Sequence, residues 1–321
     1  MRTMILLLSV DEAPLLAYSL PAAVRAAAQA GAPVDVVVVD NGSSDETGAL
    51  AAEHGARHLR LEQRRSYAAA INQAVAQAAG DAVLLLNADC VLDDGFLAAA
   101  LPRLEAEPRV GSVAPKLLRM RAPGAPLEEI DAAGMYVDHH RKNGLVGHGR
   151  PAAAFATPAA AFGADGAAAL YRRETLLDCA LDGGEVLDED FQLWASDADL
   201  AWRAQLLGWE CVYEPTAVAH HVRTYSPSTR AALPESSRRM QFRNRLLMIV
   251  KNETPRGLRR DGALIAGYEL LALGHVLLRE RHLLGGYRDA WRLLGNARRR
   301  RAQIQSRRRV ELPPFGLRPP A

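Results

Sequence analysis

Val36-Val37-Val38-Val39 runs straight into Asp40-Asn41-Gly42-Ser43-Ser44-Asp45, and Val83-Leu84-Leu85-Leu86 runs straight into Asn87-Ala88-Asp89. A short, unbroken apolar run reads as a strand buried on both faces, the kind found in parallel sheets covered by helices. Open α/β sheets bind ligands in the crevice beyond the carboxyl ends of their strands. Two strands that each deliver a carboxylate to that edge therefore point to one polar site, suited to a metal and a phosphorylated ligand. Working outward, Met4–Leu8 reads as a first strand, and Ala13–Ala30 as a helix stopped by Gly31. His58–Leu61 reads as a short strand. Helices are expected over Asp45–His54, with Ser44 as its cap, and over Tyr67–Ala79, ended by Gly80. Strands alternating with helices make βαβ units with right-handed crossovers, so the fold class is α/β with a mostly parallel central sheet flanked by helices. From Arg119 to Pro158 glycines and prolines multiply, which reads as a loop and hairpin flanking a site. A second ordered block starts at Phe162, with a helix over Asp197–Leu207 and a strand around Cys211-Val212-Tyr213. After His221 the chain reads as a helical, basic C-terminal extension.

Composition narrows the class. The 321 residues are 49% hydrophobic and 24% charged, which fits a folded protein of one large or two modest domains. Net charge is only +2, but nine arginines lie between Arg288 and Arg309 against the single acid Asp289. Cys90, Cys179 and Cys211 are far apart with no CxxC spacing, which argues against a disulfide framework or a zinc site and fits a reducing cytoplasm. Met1–Val10 reads as a strand with no cleavage site, so no leader peptide is expected. The longest apolar stretch, Ala263–Leu278, is interrupted by Glu269 and His275 and falls short of the roughly 20 residues of a spanning helix. No GxGxxG or GxxxxGK[ST] occurs, which argues against NAD and P-loop chemistry.

Several acidic residues carry two readings each. Asp89 just past a buried strand can present a carboxylate to a divalent cation that grips a diphosphate, or can join Asn87 in an Asx-turn. Asp40 is either part of a plain turn with Asn41-Gly42 or a hydrogen-bond partner for a nucleotide. Asp188, Asp190, Asp197 and Asp199 form a later cluster; Asp197 at a helix start is suited to capping, but four carboxylates exceed what a cap requires. His220 and His221 follow Tyr213-Glu214-Pro215, and a lone histidine is more often a satisfied side chain than a ligand.

The succession Val37–Asp45, Ala68-Ala69-Ala70-Ile71-Asn72 and Gly80–Asp89 resembles glycosyltransferase family 2, with its GT-A fold. So do Gly166–Arg173, Leu187-Asp188-Glu189-Asp190-Phe191, Asp197–Arg203, Gly208-Trp209 and Tyr213–His220, in an order like that of the bacterial rhamnosyltransferase-like branch. The resemblance runs from about Met4 to Asn252. It implies a catalytic domain over 1–225, with a nucleotide-sugar half over about 1–118 and an acceptor half over about 119–225, followed by an extension over 226–321. It implies donor-binding roles for Asp40, Asn41, Asp81, Asn87 and Asp89, with Mg²⁺ or Mn²⁺ held by Asp89 and His220, His221 remaining an alternative. Asp197 matches the catalytic base, and Gly166, Ala167, Asp188, Asp199 and Trp209 are expected on the acceptor side. The chain departs from the family pattern at Val10-Asp11-Glu12, at Ser66 and at Ser196.

The implied activity is inverting, metal-assisted transfer of a sugar, rhamnose from a dTDP donor being favoured, to a hydroxyl of a cell-surface or lipid-linked glycan. The expected location is cytoplasmic, peripheral on the inner face of the plasma membrane: the apolar helix candidate Gly262–Leu278 and the arginine-rich helices after it read either as packed on the catalytic domain with a solvated basic face or as attached to an anionic membrane. Nucleic acid is not an expected partner, because the arginines lack interleaved aromatics. A sugar-nucleotide nucleotidyltransferase should carry a glycine-rich basic loop after its first strand, where this chain has Val10-Asp11-Glu12-Ala13. A non-catalytic glycan-binding relative should have lost Asp89 or Asp197, and both are present.

Overall fold

The structure is a computed structural model that describes residues 1–223 and 227–318. The first half lays down β1 (Thr3–Ser9), α1 (Ala13–Ala28), β2 (Val34–Asp40), α2 (Thr47–Glu53), β3 (Arg57–Arg60), α3 (Tyr67–Ala76) and β4 (Ala82–Asn87). Next come β5 (Cys90–Leu92), α4 (Phe96–Ala106), β6 (Val110–Met120), β7 (Pro126–Ala132), β8 (Met135–Val137) and β9 (Asn143–Leu145). They are followed by β10 (Ala159–Ala161), β11 (Ala168–Arg172), α5 (Arg173–Asp178), α6 (Ser196–Leu206) and β12 (Glu210–His221). Three helices close the chain: α7 (Glu235–Asn252), α8 (Pro255–Leu278) and α9 (Leu284–Arg307).

The main sheet has the order β10-β12-β6-β11-β4-β1-β2-β3. Its β3-β2-β1-β4 portion is parallel, while β11 enters antiparallel between β4 and β6. The apolar runs behave as their composition dictates. Every residue of β1 is buried, with Leu6 and Leu8 joining Val37, Val39 and the Ile71 face of α3 on one side. Ile5 and Leu7 join Val38 and the Leu16 and Leu20 face of α1 on the other. Strand alternation thus loads two separate cores, each leucine or isoleucine contributing roughly 1.5–3 kcal/mol of burial. Register aligns the strand ends: Ser9 stands beside Asp40, and Leu8 beside Asn87.

Where the elements differ from expectation, local chemistry accounts for it. α2 starts at Thr47 rather than Asp45, because Ser44 donates backbone and hydroxyl hydrogens to Asp11 while Asp45 accepts from Thr47. The segment read as loop and hairpin contains the end of β6 and the short strands β7, β8 and β9. The strand expected only around Cys211–Tyr213 continues to His221, through a register shift between Glu214 and Val218 against β6. The three cysteines are buried and unpaired.

A third core joins the extension to the rest. Trp202 of α6 meets Phe315 edge-on with ring centroids 5.2 Å apart, and Phe315 stacks on Phe162 at 5.9 Å. Leu247 and Met248 of α7 and Ile304 of α9 complete it. The expected division at 118/119 falls inside the continuous β6, and the expected boundary at 225/226 lies outside the described residues.

Candidate active site

At the carboxyl edge of β1, β2 and β4 lies a cavity of about 920 Å³. Asn41, Asn87, Asp89, Gly166, Ala167 and Asp197 all line it, as does His221. Residues as far apart in sequence as Asn41 and His221 therefore converge where the strand pattern pointed.

Asp89 and His221 meet because β12 runs antiparallel to β5. That pairing places His221 opposite Cys90, one residue past Asp89. The Nε2 of His221 is 3.3 Å from the Oδ1 of Asp89, and its Nδ1 is 2.8 Å from the Oδ2 of Asp131. Successive strand residues face opposite sides, so His220 points away and bonds Asp93 at 3.1 Å. The ligand assignment to His220 is corrected on this ground: His221 is the imidazole beside Asp89. Burial works against a charged His221, but the carboxylates of Asp131 and Asp89 more than reverse this and hold it at about 9. Asp131 itself is fully buried; His148, His221 and Arg223 outweigh its desolvation and hold it far below the usual carboxylate range.

This pair fits a divalent cation. The Oδ1 of Asp89 is buried and makes no hydrogen bond of ordinary geometry, its neighbour being the His221 Nε2 at 3.3 Å; a cation between the two would take the place of the His221 proton. The imidazole is oriented by a carboxylate on its far nitrogen, the arrangement that prepares histidine for metal ligation. Among the described residues no cluster of three or more His, Cys, Asp or Glu side chains is arranged to hold a metal by itself, so the remaining ligands would come from diphosphate and water.

Asp197 sits in the first turn of α6, half-buried at the cavity wall. Its Oδ2 accepts from the Gly166 N–H at 3.2 Å and its Oδ1 from the Ala198 N–H at 2.8 Å. Desolvation and the neighbouring Asp165 push its carboxyl up to about 6, against those two donors. The cap position before it, Ala195, is left-handed with φ 62° and makes no side-chain cap. Gln192 nearby has φ 63° and ψ −65°, and Leu193 N–H bonds the Phe191 carbonyl across it at 2.8 Å, a strained γ-turn. Gly166 leaves room at this wall: a Cβ there would stand 3.5 Å from the Tyr67 hydroxyl and 3.6 Å from Asp197.

Other expected residues are placed differently. Asp40 is fully buried behind the cavity wall, accepting from Ser43 N–H at 2.7 Å and standing 2.9 Å from both His58 and Arg60. It shapes the 41–44 turn, while Asn41 pins the Arg65 backbone through both amide atoms. Asp81 precedes β4 and Asp89 follows it, so the six-residue strand, about 20 Å long at about 3.3 Å per residue, separates them; Asp81 accepts from the Arg2 N–H at 2.9 Å. Asp188 and Asp199 do not reach the cavity. Lys251 bridges them, with Arg300 on Asp188 and Arg203 and Asn252 on Asp199, which ties α6 to α7 and α9. Trp209 donates its indole hydrogen to Asp178 at 2.8 Å and packs on the core. Asp40, Asp81, Asp188, Asp199 and Trp209, expected in binding positions, thus lie outside the cavity lining; Asp40, Asp188 and Asp199 are buried charges held by their partners.

The structure adds residues the sequence reading passed over. Arg223 grips Asp131 and holds Asp165 at 2.8 Å, and all three surround the Asp89–His221 pair. Asp165 directly precedes Gly166-Ala167, which was the available signal; Asp131 and Arg223 are isolated in sequence and gave none. Glu12 also lines the cavity, its carboxyl raised by burial and by Asp89.

A sequence model of the family described as Glycosyl transferase family 2 matches residues 12–176. Poly-beta-1,6-N-acetyl-D-glucosamine synthase of Staphylococcus epidermidis is 24% identical over 190 residues, covering 57% of this chain and 42% of that protein. The chain thus matches less than half the length of such curated relatives. Among solved structures, S. aureus TarS 1–349 superposes with a TM-score of 0.56 at 14% identity, over 96% of this chain and 90% of that one. GalNAc-T7 with UDP, GalNAc and Mn²⁺ gives 0.57 at 12% identity, over 78% and 48%. The mannosyltransferase PcManGT from Pyrobaculum calidifontis, in complex with GDP-Man and Mn²⁺, gives 0.52 at 18% identity, over 95% and 85%. At these identities the likeness is one of fold.

Proposed function

The chain belongs to glycosyl transferase family 2, and from that premise we propose that it transfers a sugar, with inversion, from a nucleotide-diphosphate donor to an acceptor hydroxyl. The observation that carries this reading is the convergence of Asp89, His221 and Asp197 on one cavity at the sheet edge. The resemblance favours dTDP-rhamnose as donor and a cell-surface or lipid-linked glycan as acceptor, with the protein on the cytoplasmic side of the membrane. That relatives of this fold were solved with UDP or GDP-Man and Mn²⁺ supports a nucleotide-sugar donor and a divalent cation.

Asp89 and His221 would hold the donor's diphosphate through Mg²⁺ or Mn²⁺, which when bound offsets the negative charge of the leaving group. Asn41 and Asn87 border the donor end of the cavity, with Arg64 and Arg65 beside them to meet phosphate or nucleobase. Asp197 accepts the proton of the attacking hydroxyl. The new glycosidic C–O bond forms on the face opposite the breaking bond to phosphate, and the electron pair of that bond leaves with the diphosphate. A carboxyl held near 6 is ionised at neutral pH and remains a better base than an ordinary aspartate. Asp131 keeps the His221 imidazole oriented, and Arg223 keeps Asp131 and Asp165 in place.

The test is release of nucleoside diphosphate from a panel of dTDP-, UDP- and GDP-sugars with Mn²⁺ and a glycan acceptor. Turnover of one donor that falls about 10²–10⁴-fold in Asp197→Asn supports the assignment. No release from any donor, or wild-type turnover in the variant, contradicts it.

A further inference from the structure

α8 has two unlike faces. Inward, Asp261 pairs with Arg141 at 2.8 Å, Glu269 with Arg245 at 2.7 Å, and Ile265 and Val276 are buried. Outward, Ala263, Leu264, Ala266, Gly267, Leu270 and Leu277 are exposed without a charge among them. Leu270, Leu271 and Leu278 are 71%, 76% and 80% exposed. Contiguous apolar surface of this kind marks an interaction site. By length and composition the helix could cross a membrane, yet a spanning arrangement would carry the Glu269–Arg245 pair into the hydrocarbon and strip Asp261 from Arg141. Lying in the plane of an interface keeps both pairs intact and buries only the leucine side.

The ends of that face identify the surface. Arg256 and Arg259 are exposed at its start, and Arg279 and Arg281 at its finish. Arg259 shares the stripe of Ala263, Ala266 and Leu270. A leucine face with arginines at both ends complements an anionic bilayer, apolar below and negative at headgroup level. A second copy of the chain laid on it, in either direction, would bring basic end against basic end. Part of the arginine-rich α9, in contrast, is committed within the protein: Arg300 to Glu185, Asp188 and Asp190, Arg301 to the Val250 carbonyl, and Arg307 to the carbonyls of Asp178 and Ala180.

The inner side of the same helix walls the catalytic cavity. Tyr268, Ala272 and Val276 line it together with Phe242 of α7, and Leu271 belongs both to the lining and to the exposed face. Arg230 and Arg245 stand at this end of the cavity. We propose that the outer face of α8 docks this protein on an anionic lipid surface, so that the apolar end of the cavity opens at the bilayer toward an acceptor held there. The second clause rests on the proposed glycosyl transfer; docking itself does not.

The full chain and the double variant Leu270→Glu/Leu278→Glu, neither residue lining the cavity, would be sedimented with vesicles of phosphatidylcholine containing phosphatidylglycerol and with phosphatidylcholine alone. Wild type should pellet with the anionic vesicles, several-fold less with neutral ones, and the variant should bind at least about 30-fold more weakly. Both should give the same metal-dependent thermal shift with nucleoside diphosphate, which separates failure of docking from failure of the donor site. Leu270→Cys carrying an environment-sensitive dye, selective because the native cysteines are buried, should shift to the blue on anionic vesicles. Wild type that stays in the supernatant, a variant that pellets equally well, or a dye that reports no change overturns the proposal. So does a wild-type dimer that the variant converts to monomer without vesicles, which would give the face to a second copy.

Discussion

Asp197→Asn should lower turnover and raise stability at the same pH. The folded-state carboxyl lies at about 6 against an ordinary 3.8, because desolvation and Asp165 oppose its charge. Between those values the folded protein binds more protons than the unfolded chain, so this residue's contribution to stability falls as pH rises from about 4 to 6 and stays low above. The difference amounts to about 3 kcal/mol of destabilisation at pH 7.5. An asparagine cannot ionise, but offers one acceptor oxygen where the carboxylate meets both the Gly166 and Ala198 N–H groups, which costs about 1 kcal/mol. The net gain is about 1–2 kcal/mol at pH 7.5, or roughly 2–6 °C in Tm, fading to nothing or reversing near pH 4. Wild-type kcat/KM should fall about tenfold from pH 7 to pH 5 as the base protonates. Scanning calorimetry at pH 7.5 and 4.5, alongside a pH–rate profile, reads both effects. A variant less stable than wild type at pH 7.5, or a flat wild-type profile between pH 5 and 7, would refute the reasoning.

Other substitutions separate the roles assigned above. His221→Ala should abolish the metal dependence of nucleoside-diphosphate binding, whereas His220→Ala, at the Asp93 pair, should leave it within about twofold in a titration of Mn²⁺. Asp131→Asn should weaken Mn²⁺ binding about 10–100-fold, measured calorimetrically in the presence of diphosphate. Lys251→Met leaves two buried carboxylates short of a cation and should cost about 3–5 kcal/mol, lowering Tm by roughly 6 °C or more in a thermal melt. Gly163→Ala would set a Cβ 2.3 Å from that of Ala201 and should lose about 1–3 kcal/mol in urea unfolding, a neutral result contradicting the packing described.

The parallel half of the fold was legible because its strands are continuous apolar runs that end in carboxylates. Periodicity alone located β1, β2, β4 and α3 to within a few residues. Asp89, Asn87, Asn41, Gly166, Ala167 and Asp197, all drawn from those motifs, line the cavity. The choice between His220 and His221 was not legible, because it turns on the register of β12 against β5, a pairing of segments remote in sequence. Asp188 and Asp199 lie close in sequence to Asp197, which lines the cavity, yet join Arg203 of the same helix and Lys251 and Arg300, partners supplied by α7 and α9. Asp81 shares a strand with Asp89 and was drawn to it by proximity, although the two ends of a strand face opposite edges of the sheet. Asp131 and Arg223 had no motif; only the folded chain brings them to His221.

The central claim is that Asp89 and His221 hold a divalent cation against a donor diphosphate. Thermal-shift binding of dTDP, UDP and GDP with and without Mn²⁺ tests it on the wild type, Asp89→Ala and His221→Ala. The account predicts stabilisation by one diphosphate that requires Mn²⁺ and disappears in both variants. Stabilisation that persists without Mn²⁺, or that survives in either variant, would contradict it.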